Sequence, residues 1–216
     1  FYGKFFYNDF YEWLINLSNI AKQTNYDWYI KCHPLYGGRY KIYQKFSNNI
    51  VNDFIKENNH IKLLPNNASN KQLIEEGINT VLTVYGTVAS EFPFFGVPVI
   101  NACNNNPHSS YDFSISPKTK EDYENLLKKL PQIKVSEKSK EQIIEYFFMR
   151  HLLIDKNWLF DDYDLMIEEI GGYHNLQSYR FYEFWINYCE KQKIKRAEEN
   201  IRKFLNGDDL IFQIKK

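Results

Sequence analysis

A glycine and a hydroxyl residue stand where a buried strand gives way to a helix, and they are the clearest chemical feature of the sequence. Gly86 and Thr87 follow the apolar run 81–85. The first turn of a helix has unpaired N–H groups and a partial positive charge, so this position suits a phosphate. Thr87 is therefore a candidate phosphate contact, and the alternative is a tight turn in which Thr87 is an ordinary helix cap. Ser90 is either a second contact or a helix cap.

Glu91 lies four residues beyond Thr87, a spacing that places two side chains on one face of a helix. A carboxylate behind a phosphate can accept hydrogen bonds from the ribose hydroxyls of a nucleotide. The plainer interpretation is a carboxylate that the helix dipole favours. Pro93 costs about 3 kcal/mol inside a helix, so we expect the helix to begin after Thr87 or to bend near Glu91.

His33 follows a predicted strand and precedes Pro34, which stiffens the backbone. Its imidazole can donate to a phosphate oxygen and stabilise the charge on a departing leaving group. A loop histidine bonded to a backbone carbonyl is the alternative. The position at a strand end favours the first interpretation and makes His33 the candidate catalytic residue.

Three polar residues of the loop 101–110 complete the candidate site. Asn106, His108 and Ser109 are candidate contacts to a second phosphate or a sugar, and a solvated loop is equally consistent with them. In open parallel sheets, ligands bind outside the carboxyl ends of the strands. The loops that leave predicted strands at that edge are 33–38, 65–67, 86–87 and 101–110.

These loops require alternating strands and helices to position them. The pattern predicts strands at 27–32, 61–64, 79–85 and 97–100, with helices between them. We therefore expect an α/β fold with a doubly wound, Rossmann-like parallel sheet over residues 1–135. Residues 136–216 form an expected helical extension, with helices at 138–154, 161–170 and 176–205. The Asp-x-Asp within 161–164 can hold a metal-bound diphosphate, but a helix N-cap is the favoured interpretation.

Composition excludes several classes of function. The chain of 216 residues has 27 basic and 27 acidic side chains, so it lacks the net positive charge that would attract nucleic acid. Three separated cysteines argue against a disulfide framework and indicate a reducing, cytoplasmic compartment. Dinucleotide-binding, P-loop and zinc motifs are absent from the sequence, and we expect neither a metal nor a cofactor. The basic segment 191–196 is interpreted as a solvated helix face.

Two patterns together resemble a known family. Lys31-Cys32-His33-Pro34 is similar to a K-x-H-P signature, and residues 83–99 are similar to T-x-x-S/G-S/T-x-x-x-E-x-x-x-x-G-x-P-V. In this order they resemble the C-terminal, donor-binding half of GT-B-fold glycosyltransferases that build bacterial capsule and surface polysaccharides. The resemblance covers about residues 28–113. The same broad group includes bacterial sialyltransferases, Kdo transferases and glycerol-phosphate polymerases.

The resemblance implies a role for each matched residue. His33 would bind the donor phosphate and help to expel the nucleotide. Thr87 would bind phosphate together with the backbone of Gly86 and Val88, and Glu91 would accept from the ribose. The general base would lie in an N-terminal acceptor domain that this chain lacks.

We therefore expect one half of a metal-independent glycosyltransferase, inactive as this isolated domain. Its expected partners are a nucleotide-sugar donor, a glycan or lipid-linked acceptor and its own missing N-terminal domain. Peripheral contact with the inner face of the membrane is also expected. The nearest alternative is a sugar-nucleotide 2-epimerase of the same fold. A non-catalytic scaffold that docks through its aromatic helical half is the alternative from another class.

Overall fold

Helices alternate with short strands along the first part of the chain. The computed structural model describes residues 6–32, 40–152, 162–190 and 195–207. The elements up to the fifth helix are α1 (Phe10–Ala21), β1 (Trp28–Ile30), α2 (Tyr40–Glu57), β2 (Ile61–Leu63), α3 (Asn70–Glu75), β3 (Val81–Thr83), α4 (Val88–Phe94), β4 (Val99–Asn101) and α5 (Lys120–Leu127). The later ones are a 3₁₀ turn (Leu130–Gln132), α6 (Ser139–Phe147), a π-helical turn (Phe148–Leu152), α7 (Tyr163–Glu169), a second 3₁₀ turn (Tyr173–Asn175), α8 (Tyr179–Glu190) and α9 (Lys195–Asn206).

The chain forms two compact units, Phe1–Ile144 and Glu145–Lys216, which we call unit 1 and unit 2. Unit 1 holds all the described strands, and the described elements of unit 2 are helical. The division falls inside α6, whereas the sequence pattern placed it after residue 135. The expected N-terminal acceptor domain stays a prediction.

The strands pair in parallel, as the alternation of strands and helices predicts. β1 pairs with β2, with Trp28 opposite Ile61, and β3 pairs with β4, with Thr83 opposite Asn101. Each pair is connected through a helix, α2 in the first and α4 in the second. Among the described residues these pairs are two separate sheets. The prediction of a parallel α/β fold is therefore confirmed, but not that of one continuous doubly wound sheet, because no ladder joins the three-residue strands of the two pairs.

A further extended segment lies beside β4. Ile115 bridges Ile100 in parallel, and its N–H donates to the carbonyl of Val99 at 2.9 Å. The N–H of Asn101 donates in return to the carbonyl of Ile115 at 2.8 Å. β4 is thus flanked by β3 on one side and by the segment ending at Ile115 on the other.

Helices cover both faces of the β3–β4 pair. Successive strand residues point to opposite faces. Val99 packs in one apolar cluster with Leu73 of α3 and Phe92 of α4, and Ile100 packs in another with Leu17 of α1 and Tyr123 of α5. Val99 and Ile100 are both fully buried, which explains why β4 is uniformly apolar up to Asn101 rather than alternating.

Several helix ends follow their sequence signals. Asp9 caps α1 by accepting the N–H of Glu12 at 2.8 Å. Ser69 forms a capping box with Gln72 at the start of α3. Asp162 accepts two N–H groups at the start of α7, so the prediction of a helix cap in this acidic segment is confirmed.

Unit 2 is built around an aromatic cluster. Its buried residues are Met166, Ile167, Ile170 and Tyr188, and aromatic residues of α8 pack against them. The apolar spacing predicted helices at 161–170 and 176–205, and the structure has α7, α8 and α9 there. No helix of the described ranges is long and apolar enough to cross a bilayer.

Candidate functional site

The turn between β3 and α4 is held by a contact that requires a glycine. The N–H of Gly86 donates to Oγ1 of Thr83 at 3.1 Å. A Cβ at Gly86 would lie only 2.7 Å from that same oxygen. Glycine is therefore needed here because two groups approach closely. The Gly86 N–H, expected from the resemblance to face a phosphate, is directed to Thr83.

Thr87 begins α4 without using its hydroxyl. The residue is the helix N-cap, its backbone is already helical, and its side chain makes no cap hydrogen bond. Its carbonyl accepts the N–H of Ser90 at 3.0 Å and that of Glu91 at 3.2 Å. The Thr87 side chain is exposed. It is therefore presented to solvent beside Val88, the first residue of the helix.

The Ser90 hydroxyl is turned back onto its own helix. It donates to the carbonyl of Thr87 at 3.0 Å. This bond satisfies the local backbone and leaves only the oxygen lone pairs of Ser90 for another group. Ser90 thus takes the backbone-bonding role, and Thr87 presents the hydroxyl proton of this turn.

Glu91 lies one helical turn after Thr87 and contacts a neighbouring helix. Its exposed carboxylate accepts a hydrogen bond from Nδ2 of Asn70, the first residue of α3. Pro93 lies inside α4 after Glu91, and it is buried. The helix runs from Val88 to Phe94, so the first of the two expected alternatives, a helix that begins after Thr87, is confirmed. Asn70 is a neighbour that no local sequence signal indicated.

α4 ends at Phe94, one residue after Pro93, in a turn closed by Gly96. The N–H groups of Gly96 and Val97 donate to the carbonyls of Pro93 and Phe92, at 3.0 and 3.1 Å. Gly96 has a φ of +86°, the conformation that this helix ending requires.

The loop after β4 is more buried than the sequence suggested. Asn106 and His108 are 2% and 5% exposed, and the His108 ring packs on that of Phe113 with centroids 5.2 Å apart. The N–H of Ser109 donates to the carbonyl of Asn106 at 2.9 Å, and only Ser109 of the three is exposed. The solvated-loop interpretation is therefore wrong for Asn106 and His108.

Cys103 joins this loop to the end of β3. Its Sγ lies 3.1 Å from the carbonyl oxygen of Val84 and 3.2 Å from Oδ1 of Asn106. Val84 precedes Gly86 by two residues, so the loops after β3 and β4 meet at one edge, as expected for neighbouring parallel strands. Burial raises the pKa of the Cys103 thiol. Among the described residues, Nδ2 of Asn106 has no hydrogen-bond partner.

The residues predicted to lie opposite this turn fall outside the described part of the chain. His33 and the rest of the loop 33–39 are among them, so the catalytic role of His33 stays a prediction. Cys32, the last described residue before that loop, is half-buried, and burial raises its thiol pKa. Within the described ranges, no group of three or more His, Cys, Asp or Glu side chains is arranged to hold a metal ion.

Comparison with known proteins adds no relative: no family model matches the chain, and neither a curated protein nor a solved structure is significantly similar to it.

Proposed function

We propose that unit 1 binds the nucleotide of an activated sugar and serves as the donor-binding part of a glycosyltransferase. The nucleotide would lie at the C-terminal edge of β3 and β4. Its phosphate would face the Thr87 hydroxyl and the Val88 N–H, and its ribose would face Glu91. His33 would stabilise the charge on the departing phosphate. Transfer of the sugar would require an acceptor and a general base from elsewhere.

One observation carries this proposal: the loops after β3 and β4 meet at Cys103. The sulfur lies within 3.2 Å of both Val84 and Asn106. A phosphate at the start of α4 would therefore lie close to a second polar loop. Binding at the edge of parallel strands is the rule in folds of this class.

The free acceptor sites of the Glu91 carboxylate support the proposed ribose contact. The carboxylate has two oxygens with about four acceptor sites, and Asn70 occupies one of them. The remaining sites face an exposed surface. A pair of ribose hydroxyls can donate to them without displacing Asn70.

We further propose that the two strand pairs belong to one sheet, in the order β2-β1-β3-β4. Trp28 and Ile61 of the first pair pack in the same apolar cluster as Ile100 of the second. A shared core brings the pairs together on one face. Backbone pairing between β1 and β3 would give the doubly wound sheet that the sequence pattern predicts.

Nucleotide titration tests the proposal. We expect a pyrimidine or purine nucleoside diphosphate to bind with a dissociation constant in the micromolar to millimolar range, measured by calorimetry for UDP, CDP and GDP. Thr87→Val removes the hydroxyl at nearly constant volume and is expected to weaken binding about tenfold, as for a lost hydrogen bond to a charged group. Thr80→Val is the matched control, because Thr80 is a half-buried threonine whose hydroxyl donates to the carbonyl of its neighbour Asn79. No binding of any nucleotide, or equal affinities in both variants, would refute the proposal.

A scaffold remains the second candidate, because unit 2 exposes large aromatic side chains. Tyr173, Tyr179 and Tyr182 are 64%, 67% and 61% exposed. Such residues are enriched at protein interfaces. Replacing Tyr179 and Tyr182 with serine would abolish the binding of a scaffold to its partners and leave nucleotide binding unchanged.

A further inference from the structure

The last described helix, α9 (Lys195–Asn206), presents apolar side chains to solvent. It belongs to unit 2, whose described apolar cluster is built from residues of the segment 163–188 and includes none from α9. Ile201 and Leu205 lie four residues apart on one face of α9, and they are 37% and 71% exposed. The other side chains described in this helix are exposed as well. The apolar face of α9 is therefore uncovered within the described residues.

Apolar and polar residues are segregated around α9. Successive residues of an α-helix are about 100° apart around its axis. The apolar positions, which together fall within one arc of about 100°, are Ala197, Ile201, Phe204 and Leu205. Polar and charged residues occupy the rest of the circumference. α9 is thus an amphipathic helix with a narrow apolar arc.

Positive charge exceeds negative charge along this helix and the residues just before it. The basic residues of the segment 191–206 are Lys191, Lys193, Lys195, Arg196, Arg202 and Lys203. The acidic residues of the same segment are Glu198 and Glu199. Glu198 is next to the apolar arc, and its carboxylate is paired with the guanidinium of Arg202 at 2.8 Å. Glu199 is then the one acidic residue left against the other basic residues, so the segment attracts a negatively charged partner.

We propose that α9 lies on the surface of a bilayer that contains anionic phospholipids. The apolar arc would enter the boundary between headgroups and acyl chains, and the basic residues would contact the phosphate groups. A narrow apolar face combined with an excess of Lys and Arg is typical of helices that lie in this interface. The basic segment 191–196 would then contact headgroups instead of forming only a solvated face.

The length and the charge of α9 distinguish this partner from two others. A helix of 12 residues is about 18 Å long, whereas the hydrocarbon core of a bilayer is about 30 Å thick, so α9 lies on the membrane and does not cross it. A second copy of the chain would bring two positively charged helices together, which like-charge repulsion disfavours. The contact does not depend on nucleotide binding by unit 1.

Co-sedimentation of the 216-residue chain with lipid vesicles tests the proposal. Vesicles of phosphatidylcholine are compared with vesicles made from equal parts of phosphatidylcholine and phosphatidylglycerol. We expect the partition coefficient to be about tenfold higher or more on the anionic vesicles, because basic residues are attracted to the negative surface potential. Salt at about 1 M should remove most of this preference, since screening then acts over about 3 Å.

A pair of matched variants tests the apolar arc. Ile201→Ser/Leu205→Ser keeps the charge of α9 and is expected to lower the partition coefficient on anionic vesicles about tenfold or more, because less apolar surface is buried. Leu165→Ser/Ile186→Ser replaces the same two residue types on α7 and α8, where they are 52% and 56% exposed. This control should bind as the wild type does. All four side chains are exposed, so both variants should keep the aromatic circular dichroism of unit 2.

Three results would overturn the proposal. Equal partitioning onto neutral and anionic vesicles would show that the basic residues do not recognise headgroups. An equal loss of binding in both double variants would show that α9 is not the helix in contact. A dimer that only the α9 variant dissociates, without binding to vesicles, would show that a second copy covers the apolar arc. Nucleotide titration of the same variants tests the proposed function separately, and their affinities should equal that of the wild type.

Discussion

The indole N–H of Trp13 donates to the hydroxyl oxygen of Tyr123 at 2.9 Å. This bond joins α1 to α5 across 110 residues of sequence, on the face of β4 that Ile100 occupies. Tyr123 is fully buried. The pair therefore fixes the covering helices of unit 1 at the point where their apolar cores meet.

We expect Tyr123→Phe to lower the free energy of unfolding of unit 1 by about 1–2 kcal/mol, because the Trp13 N–H loses its acceptor. Urea unfolding followed by the amide signals of unit 1 measures the change. Tyr11→Phe is the control, since Tyr11 is 53% exposed on the same helix as Trp13; its effect should stay within about 0.5 kcal/mol. Equal effects of the two variants would mean that the buried bond contributes nothing.

The turn after β3 gives a second prediction, on stability. Gly86→Ala places a methyl group 2.7 Å from Oγ1 of Thr83 and forces that side chain to rotate out of its hydrogen bond. We expect the free energy of unfolding to fall by about 1–3 kcal/mol, the usual range for overpacking. Thr83→Ala removes both the hydrogen bond and the obstructing oxygen. In the Thr83→Ala variant, Gly86→Ala should therefore lower the free energy of unfolding clearly less than it does in the wild type. A double-mutant cycle measures the difference, and strictly additive effects would contradict the close approach.

Buried protons make unit 1 sensitive to alkaline pH. Burial raises the pKa of the Cys103 thiol and of the Tyr123 hydroxyl. The folded state therefore holds these protons where the unfolded chain releases them. The resulting stabilisation is complete below the ordinary thiol pKa of about 8.5 and declines as pH rises through the folded-state value.

We expect the unfolding free energy of unit 1 to fall above about pH 8.5. Cys103→Ala should flatten this fall between about pH 8.5 and 9.5, and Tyr123→Phe should flatten it only above about pH 10. Urea unfolding at several pH values measures both slopes, and the slopes between about pH 7 and 8 serve as the internal control. If the unfolding free energy of Cys103→Ala declines with pH as steeply as that of the wild type, this thiol does not cause the loss of stability at alkaline pH.

Much of this site follows from local sequence patterns, and the rest depends on packing. The four-residue spacing of Thr87 and Glu91 could be predicted because it is a property of a single helix. The parallel pairing could be predicted because strands and helices alternate along the sequence. The bond between Asn70 and Glu91 could not, because it joins two helices whose relative position only the folded core determines. His108 lies in a run of asparagines typical of solvated loops, yet it packs on Phe113, and no local pattern encodes that contact.

The proposed ribose contact leads to the last prediction, a preference for ribose over deoxyribose. If Glu91 accepts from the ribose hydroxyls, UDP should bind more tightly than dUDP, by about tenfold for one hydrogen bond to a charged group. Glu91→Gln keeps the shape of the side chain and removes its charge. The ratio of the UDP affinity to the dUDP affinity should therefore fall to about threefold or less in this variant. Glu76→Gln is the matched control, an exposed glutamate at the end of α3, and should keep the full ratio.

Calorimetric titration of both nucleotides against the three proteins gives the ratios directly. The ratio separates a ribose contact from a general electrostatic effect, because loss of a distant charge would change both affinities alike. UDP and dUDP binding equally well to the wild type would remove Glu91 from the binding site, since nothing else in the proposal distinguishes them. Its carboxylate would then serve only to join α4 to Asn70, the contact already present in the structure.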